Sequence, residues 1–262
     1  MAEGTPRIQA TRKIVAWLGL LIMIASFAWL QLTTAPETST TAQPSVGQAF
    51  PVVVIDPGHG GQDSGAMCGE VMEKDLTFDI ARRLDRQLQA KGLATVLTRV
   101  GDSYISLAER AALTNRVPDC VFVSIHFNEG NKEVSTGVET YYADHQIAPG
   151  TPMVPWLPFL QRASTQAPNF ESQSLAGLIQ EALVAHTQAA DRGTKPQQYF
   201  VIANVRHPAV LVEGGFLTNK DEAAKLGNED YREQLAAAIC DGIVHYRELI
   251  KQRPPALAAH NE

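Results

Sequence analysis

The sequence is poor in basic clusters, in cysteine and in aromatic residues. It has 22 basic against 28 acidic residues, a net charge of −6, and no long run of lysine or arginine. Proteins that bind a phosphate backbone carry basic patches, so this charge pattern argues against a nucleic-acid-binding role. Aromatic residues make up 7% of the chain, hydrophobic residues 45% and charged residues 19%. This is the composition of an ordinary globular protein.

The three cysteines do not suggest a disulfide framework or a metal-binding motif. Their number is odd, which leaves at least one thiol unpaired, and the sequence contains no CxxC. We expect Cys120 and Cys240 to act as small buried hydrophobic side chains. Cys68 lies in a glycine-rich segment, and its role is left open.

Lysine and arginine are also absent between Lys13 and Lys74. Within this stretch, residues 14–32 form an uncharged and largely apolar run. At a rise of about 1.5 Å per residue, such a helix nearly spans a hydrocarbon core of about 30 Å. The basic pair Arg12–Lys13 before the run predicts that residues 1–13 stay in the cytoplasm. We therefore predict an inner-membrane anchor at residues 14–32; the alternative is a long signal segment, cleaved near Ala42, that would release a secreted protein.

A tether and one domain are predicted beyond this segment. Residues 33–50 are rich in threonine, serine and proline and predict a solvated tether. Strand-like and helix-like patterns alternate over residues 51–251, and a polar tail follows at 252–262. Such alternation predicts a single α/β domain with a mostly parallel, twisted sheet covered by helices on both faces.

The individual elements follow from hydrophobic periodicity. Strands are expected at residues 52–55, 94–98, 121–125, 138–142, 199–202 and 209–212, of which 138–142 is expected to be half-exposed. Helices are expected at residues 76–90, 107–115, 175–189 and 231–250. Residues 143–174 contain five prolines and are expected to form a proline-rich flap or wall.

Polar residues follow three of the expected strands, at the edge where parallel sheets bind ligands. Asp56–Gly61 follows the first, His126–Asn128 the third and Glu213–Gly215 the last. A catalytic zinc needs three nitrogen or oxygen ligands and an open position. His59 and His126, each leaving a buried strand, are therefore candidate zinc ligands.

The third ligand is not decided by the local pattern. It should be a carboxylate or a histidine, and several acidic residues follow the first strand. The local sequence does not distinguish Glu73 from Glu70 as the third ligand, because an acidic residue at the start of a helix can also serve only as a cap or as a complement to the helix dipole. The candidates are Asp56, Asp63, Glu70, Glu73 and Asp75.

Five motifs carry a resemblance to a known family. In chain order they are Val54–Ala66, Glu73–Leu76, Ser124–Asn128, Gly137–Tyr142 and Val210–Asn219. Together they resemble the zinc-dependent N-acetylmuramoyl-L-alanine amidase family of the amidase-3 type, over essentially residues 51–250. The resemblance implies one Zn²⁺ ion held by His59, Glu73 and His126, and a catalytic carboxylate at Glu213. It favours Glu73 over Glu70, since Glu73 is the one followed by Lys-Asp-Leu.

The resemblance also implies substrate, location and partners. Peptidoglycan is the expected substrate, cut at the amide between N-acetylmuramic acid and L-alanine on the periplasmic face of the envelope. Asn128 and Arg192 are candidate substrate-binding residues, with a loop turn and a surface ion pair as the respective alternatives. We see no separate wall-binding repeat, so we expect targeting through the anchor or through a partner protein such as an activator. The alternative functions are a zinc peptidase acting on cross-link peptides and a non-catalytic wall-binding protein.

Overall fold

The computed structural model describes residues 50–130, 134–146 and 169–252, together with Trp17 and Met23. The chain divides into two compact units, residues 1–43 and 44–262. In the first unit Trp17 and Met23 are helical and exposed. The rest of the anchor predicted at residues 14–32, the tether up to residue 49, residues 147–168 of the proline-rich segment and the tail after Gln252 lie outside the described residues. Phe50, the last residue of the expected tether, is buried in the core. Among the residues that are described, no helix is both long enough and apolar enough to cross a membrane.

The second unit is built on a central sheet. Its strands in chain order are β1 (Val52–Pro57), β2 (Met67–Cys68), β3 (Val71–Met72), β4 (Ala94–Leu97), β5 (Cys120–Asn128), β6 (Val138–Tyr142), β7 (Asp191–Pro196) and β8 (Ala209–Phe216). The main sheet has the order β4-β1-β5-β8-β6-β7, and β2 pairs with β3 in a small hairpin. Strands β4, β1, β5 and β8 are parallel to one another. Strand β6 is antiparallel to β8 and parallel to β7. The prediction of a mostly parallel sheet is confirmed.

Helices cover both faces of this sheet, as predicted. They are α1 (Glu73–Ala90), α2 (Leu107–Thr114), α3 (Phe170–Thr187), α4 (Phe200–Ala203), α5 (Lys220–Gly227) and α6 (Glu229–Gln252). Successive strand residues point to opposite faces. In β1, Val53 and Ile55 therefore pack with α1, α3 and α6. Val54 packs on the other face, with side chains from the shorter helices α2 and α4.

Four of the expectations about individual elements differ from the structure. Residues 199–202 were expected to form a strand, but Phe200–Ala203 forms one turn of helix. Asp191–Pro196, for which no strand was expected, is the edge strand β7. Strand β6 was expected to be half-exposed, yet all its residues except Tyr141 are buried. The third helix begins at Phe170, inside the expected proline-rich segment, because Asn169 caps it by accepting from the Ser172 amide.

The cysteines behave as expected. All three are free, and Cys120 and Cys240 are buried. Burial raises the pKa of Cys120 to about 12 and that of Cys240 to about 11. Neither is a thiolate at neutral pH, so both act as apolar core residues. Cys68 is partly buried and packs against the core from β2.

The sheet order reverses at β1. The chain continues from β1 to β4 on one side of it and then to β5 on the other. Such reversal points leave a crevice beyond the carboxyl ends of the strands, where α/β proteins bind ligands. Strand β8 adds its carboxyl end to this edge, and the antiparallel strand β6 adds its amino end.

Candidate metal centre

Three predicted metal ligands come together at this edge: His59, Glu73 and His126. The Oε1 atom of Glu73 lies 3.0 Å from Nε2 of His59 and 3.0 Å from Nδ1 of His126. The ligand atoms of the three residues all lie within 4.8 Å of one another. Two imidazole nitrogens and one carboxylate form the donor set of a catalytic metal site with an open position.

Two glycines make room for these side chains. A Cβ atom at Gly58 would lie 2.3 Å from Cε1 of His126. A Cβ atom at Gly65 would lie 2.5 Å from Oε2 of Glu73 and 2.6 Å from Cδ2 of His59. Real Cβ atoms do not approach other atoms so closely, so the imidazoles and the carboxylate can converge only beside glycine. The local backbone is thus shaped for the three ligands, and the site fits a metal ion.

Glu73 is held as a carboxylate by backbone amides that lie outside its own helix. It is the first residue of α1, where Met72 provides no side-chain cap. Its Oε2 accepts from the Ala66 amide at 2.8 Å and its Oε1 from the Phe127 amide at 3.0 Å. Burial works to raise its pKa, but hydrogen bonds from His126 and His59 outweigh this and hold the pKa far below its ordinary value. Glu73 is therefore ionised at neutral pH.

Asp63 orients His59 from behind. Its Oδ2 lies 2.9 Å from Nδ1 of His59, while Nε2 of the same ring faces Glu73. A carboxylate on the far nitrogen is the usual outer partner of a metal-binding imidazole. Burial lowers the pKa of His59, but Glu73 and Asp63 together raise it above its ordinary value.

The other acidic candidates lie elsewhere. Asp56 is buried and forms an ion pair with Arg110 at 2.7 Å. Glu70 is exposed in the turn between β2 and β3, and Asp75 is exposed on the first turn of α1. Among the described residues, Glu73 is thus the acidic residue that joins the two histidines.

Glu213 lies beside this cluster on β8. It is the register partner of His126 on the parallel strand β5. It is 9% exposed, and within the described part of the chain its Oε2 atom has no hydrogen-bond partner. Burial, together with the negative charges of Glu73 and Glu139, raises its pKa well above the ordinary value. A desolvated carboxyl group of this kind can take up and release a proton.

A second buried carboxylate, Glu139 on β6, accepts hydrogen bonds from both predicted substrate-binding residues. Its Oε1 accepts from Nδ2 of Asn128 at 2.6 Å and from the Tyr141 hydroxyl at 2.6 Å. Its Oε2 accepts from Nε of Arg192 at 2.8 Å and from Nζ of Lys195. Asn128 and Arg192 therefore share one anchor at the edge of the site. The sequence assigned no role to Glu139 or Lys195, because their pairing is a contact between two different strands.

A cavity of about 80 Å³ opens on the opposite side, towards β4. Both imidazoles of the site line it, together with Tyr104 and Leu107, which are about half exposed. The full lining consists of Asp56, His59, Asp63, Tyr104, Ile105, Leu107, Arg110 and His126.

Fold and site together are typical of a metal-dependent α/β hydrolase. Residues 53–245 match the model of the amidase-3 family, described as N-acetylmuramoyl-L-alanine amidase. The chain belongs to this family. The predicted family and the predicted amidase class of enzyme are thereby confirmed.

Relatives and solved structures agree with this family assignment. The N-acetylmuramoyl-L-alanine amidase LytC of Bacillus subtilis is 36% identical over 249 residues, which cover 94% of this chain but only 45% of LytC. An N-acetylmuramoyl-L-alanine amidase from Clostridium difficile 630 is similar in structure, with a TM-score of 0.65, 35% identity, and coverage of 77% of this chain and 98% of that chain. The CwlD amidase of Clostridioides difficile, solved in complex with the GerS lipoprotein, has a TM-score of 0.64 and 27% identity, with 76% of this chain and 99% of that chain covered.

Proposed function

We propose that this protein hydrolyses the amide bond between N-acetylmuramic acid and L-alanine in peptidoglycan and releases stem peptides. The observation that carries the proposal is the convergence of His59, Glu73 and His126 beside Glu213, whose Oε2 atom has no hydrogen-bond partner among the described residues, in a chain of this family. The proposed cofactor is one Zn²⁺ ion, with these three residues as its ligands. The donor set of two imidazoles and one carboxylate supports zinc.

In the proposed reaction, the metal site and Glu213 have different roles. When bound, zinc supplies a Lewis acid that polarises the amide carbonyl and acidifies water. Glu213 accepts a proton from the attacking water as the carbon–oxygen bond forms. It then delivers that proton to the departing nitrogen of L-alanine as the carbon–nitrogen bond breaks. The Oε2 atom of Glu213 supports this role, since no donor in the described part of the chain occupies its lone pairs.

Asn128 and Arg192 are proposed to bind the substrate on the β7 side. Arg192 donates to Glu139 through Nε, and in the described residues its two Nη atoms have no hydrogen-bond partner. Its guanidinium also lies 4.8 Å from the Phe216 ring, which fixes its plane. A fixed guanidinium with free Nη atoms suits a carboxylate, the charged group of stem peptides. Asn128 helps to hold Glu139 and offers its amide to the same substrate.

The envelope is the location that peptidoglycan hydrolysis requires. We propose that residues 14–32 anchor the protein in the inner membrane with the amidase domain outside, supported by the uncharged run that follows Arg12 and Lys13. Protease added to spheroplasts should then remove the domain. Protection of the domain by an intact membrane would overturn this topology.

We further propose a protein activator. The proposal is supported by the CwlD amidase, which was solved in complex with a lipoprotein.

Digestion of purified sacculi tests the proposed reaction. The parent protein should release intact peptides that begin with L-alanine and leave glycan strands free of peptide. A chelator should stop this release, and added Zn²⁺ should restore it. Peptides cut within the cross-links would identify a peptidase, and binding to sacculi without any release would identify a non-catalytic wall-binding protein.

A further inference from the structure

Two buried arginines lie beneath the turn that carries His59. Arg99 follows β4 and Arg110 belongs to α2, and each is only 3% exposed. In the described residues, neither donates a hydrogen bond to the side chains of the three proposed ligands. Buried guanidinium groups are costly to desolvate, so such a pair needs a physical reason.

The reason lies in the backbone carbonyls that they bind. Arg110 donates from Nη1 to the Pro57 carbonyl and from Nη2 to the His59 carbonyl, both at 2.7 Å. Arg99 donates from Nε to the Pro57 carbonyl at 3.0 Å and from Nη2 to the Gly58 carbonyl at 2.9 Å. Three consecutive carbonyls of the turn are therefore held by two planar groups.

Arg99 also connects this turn to the helix that carries Glu73. Its Nη2 donates at 2.8 Å to the carbonyl of Lys74, the residue directly after Glu73. The same nitrogen approaches Oγ1 of Thr77 at 3.2 Å, and that hydroxyl donates to the Gly58 carbonyl at 2.9 Å. One guanidinium thus ties together two segments that bring proposed metal ligands into the site.

The turn needs such support because its backbone is strained. His59 has φ = 58°, in the left-handed region that non-glycine residues rarely adopt. A residue held there persists only when its surroundings fix it. Burying the two guanidinium charges costs desolvation free energy. Asp56 offsets this cost directly for Arg110, whereas Arg99 is bound through carbonyls and a hydroxyl. A pair of buried cations is thus maintained where neutral packing would cost less.

We infer that Arg99 and Arg110 are positioning residues, which fix the Pro57–His59 backbone so that the His59 imidazole stays in its ligand position beside Glu73. The inference rests on the metal site proposed above. It concerns residues that act on His59 through the backbone carbonyls that they bind. Because lysine has one terminal nitrogen where arginine has a planar fork of donors, lysine retains the charge but cannot hold several carbonyls at once.

The test measures Zn²⁺ affinity in Arg110→Lys and Arg99→Lys, by competition with a chelator of known affinity at a temperature well below unfolding. We expect affinity to fall by about 10- to 100-fold, the usual effect of losing an outer support of a metal ligand. The matched control is Arg83→Lys, because Arg83 on α1 pairs with Asp79 and Glu233 away from the turn. This control should lose some thermal stability and keep the parental affinity.

A second readout and a milder variant keep the test decisive. The visible spectrum of the Co²⁺-loaded protein reports ligand geometry, and it should change in Arg110→Lys but not in Arg83→Lys. If the arginine variants do not fold, Thr77→Val removes one donor to the Gly58 carbonyl at nearly constant volume, and we expect a smaller loss of Zn²⁺ affinity. The inference would be overturned if the folded arginine variants kept the parental Zn²⁺ affinity and Co²⁺ spectrum. Where the arginine variants do not fold, the same result for folded Thr77→Val would overturn it. A parent protein that binds no stoichiometric Zn²⁺ would instead overturn the metal site itself.

Discussion

Glu139 and Glu213 lie directly opposite each other on the antiparallel pair β6–β8. Both carboxyl groups are buried, but only one of them is satisfied. Glu139 accepts hydrogen bonds from four side chains, whereas Oε2 of Glu213 has no partner in the described residues. One member of the pair is therefore locked as an anion that holds its neighbours in place. The other is available for proton transfer.

The first prediction concerns the ligands. His59→Ala, Glu73→Ala and His126→Ala should each lose Zn²⁺ and peptide release together, because removal of one of three ligands leaves too few to hold the ion. Metal content of the purified proteins and digestion of sacculi measure the two effects. Glu70→Ala is the matched control, since Glu70 is exposed and apart from the cluster; it should retain both. Stoichiometric Zn²⁺ in Glu73→Ala would show that the third ligand lies elsewhere.

A second prediction concerns Gly58. Its φ does not lie in the left-handed region, so a larger residue causes no backbone strain there and acts only through the steric clash of its Cβ atom. Gly58→Ala places a Cβ atom against the His126 ring and should lower Zn²⁺ affinity at least about tenfold. Gly177 lies exposed in α3 with nothing near a Cβ atom. Gly177→Ala should keep the affinity and stabilise the fold by about 0.5–1 kcal/mol. Equal Zn²⁺ affinity in the two variants, both folded, would refute the steric argument.

A third prediction concerns acid stability. Burial works to raise the pKa of Glu139, but hydrogen bonds from Lys195, Tyr141, Arg192 and Asn128 lower it to about 2, from an ordinary value of 4.5. Because the folded pKa is the lower one, this stabilisation is present above pH 4.5 and is lost as the pH falls towards 2. At neutral pH it amounts to on the order of 3 kcal/mol.

Glu139→Gln isolates this contribution. The difference in unfolding free energy between the parent and Glu139→Gln should be largest above pH 5 and should shrink between pH 4.5 and 2. Urea unfolding at a series of pH values measures it, and titrating groups that do not interact with Glu139 cancel in the difference. A gap that stays constant with pH would show that Glu139 does not have a depressed pKa.

Much of the fold follows from the sequence because buried parallel strands need continuous apolar runs, as in Val52–Ile55 and Val121–Ile125. Short segments were less predictable. Tyr199–Ile202 is apolar and β-prone, yet a run of four residues has no distinguishing period, and it folds as one helical turn. Strand β7 contains Gly193 and Pro196, which a sheet tolerates at its edge.

The site was predictable only in part, for a related reason. Strand ends identified His59, His126 and Glu213, because parallel strands deliver their carboxyl ends to one edge. The choice of Glu73 depended on family resemblance, since the approach of α1 to β5 is a tertiary contact that no local pattern encodes. The supporting roles of Asp63 and Arg110 depend on contacts of the same kind, for which no spacing rule exists in the sequence.

The most direct test of the account is the metal content and peptide release of Glu213→Gln, measured on one preparation. Glutamine keeps the size of the side chain but cannot accept the proton. We predict Zn²⁺ content equal to that of the parent protein, intact binding to sacculi, and release of stem peptides slower by at least about 10²–10⁴-fold. Loss of Zn²⁺ together with activity would make Glu213 a fourth ligand, and near-normal release would remove it from the mechanism.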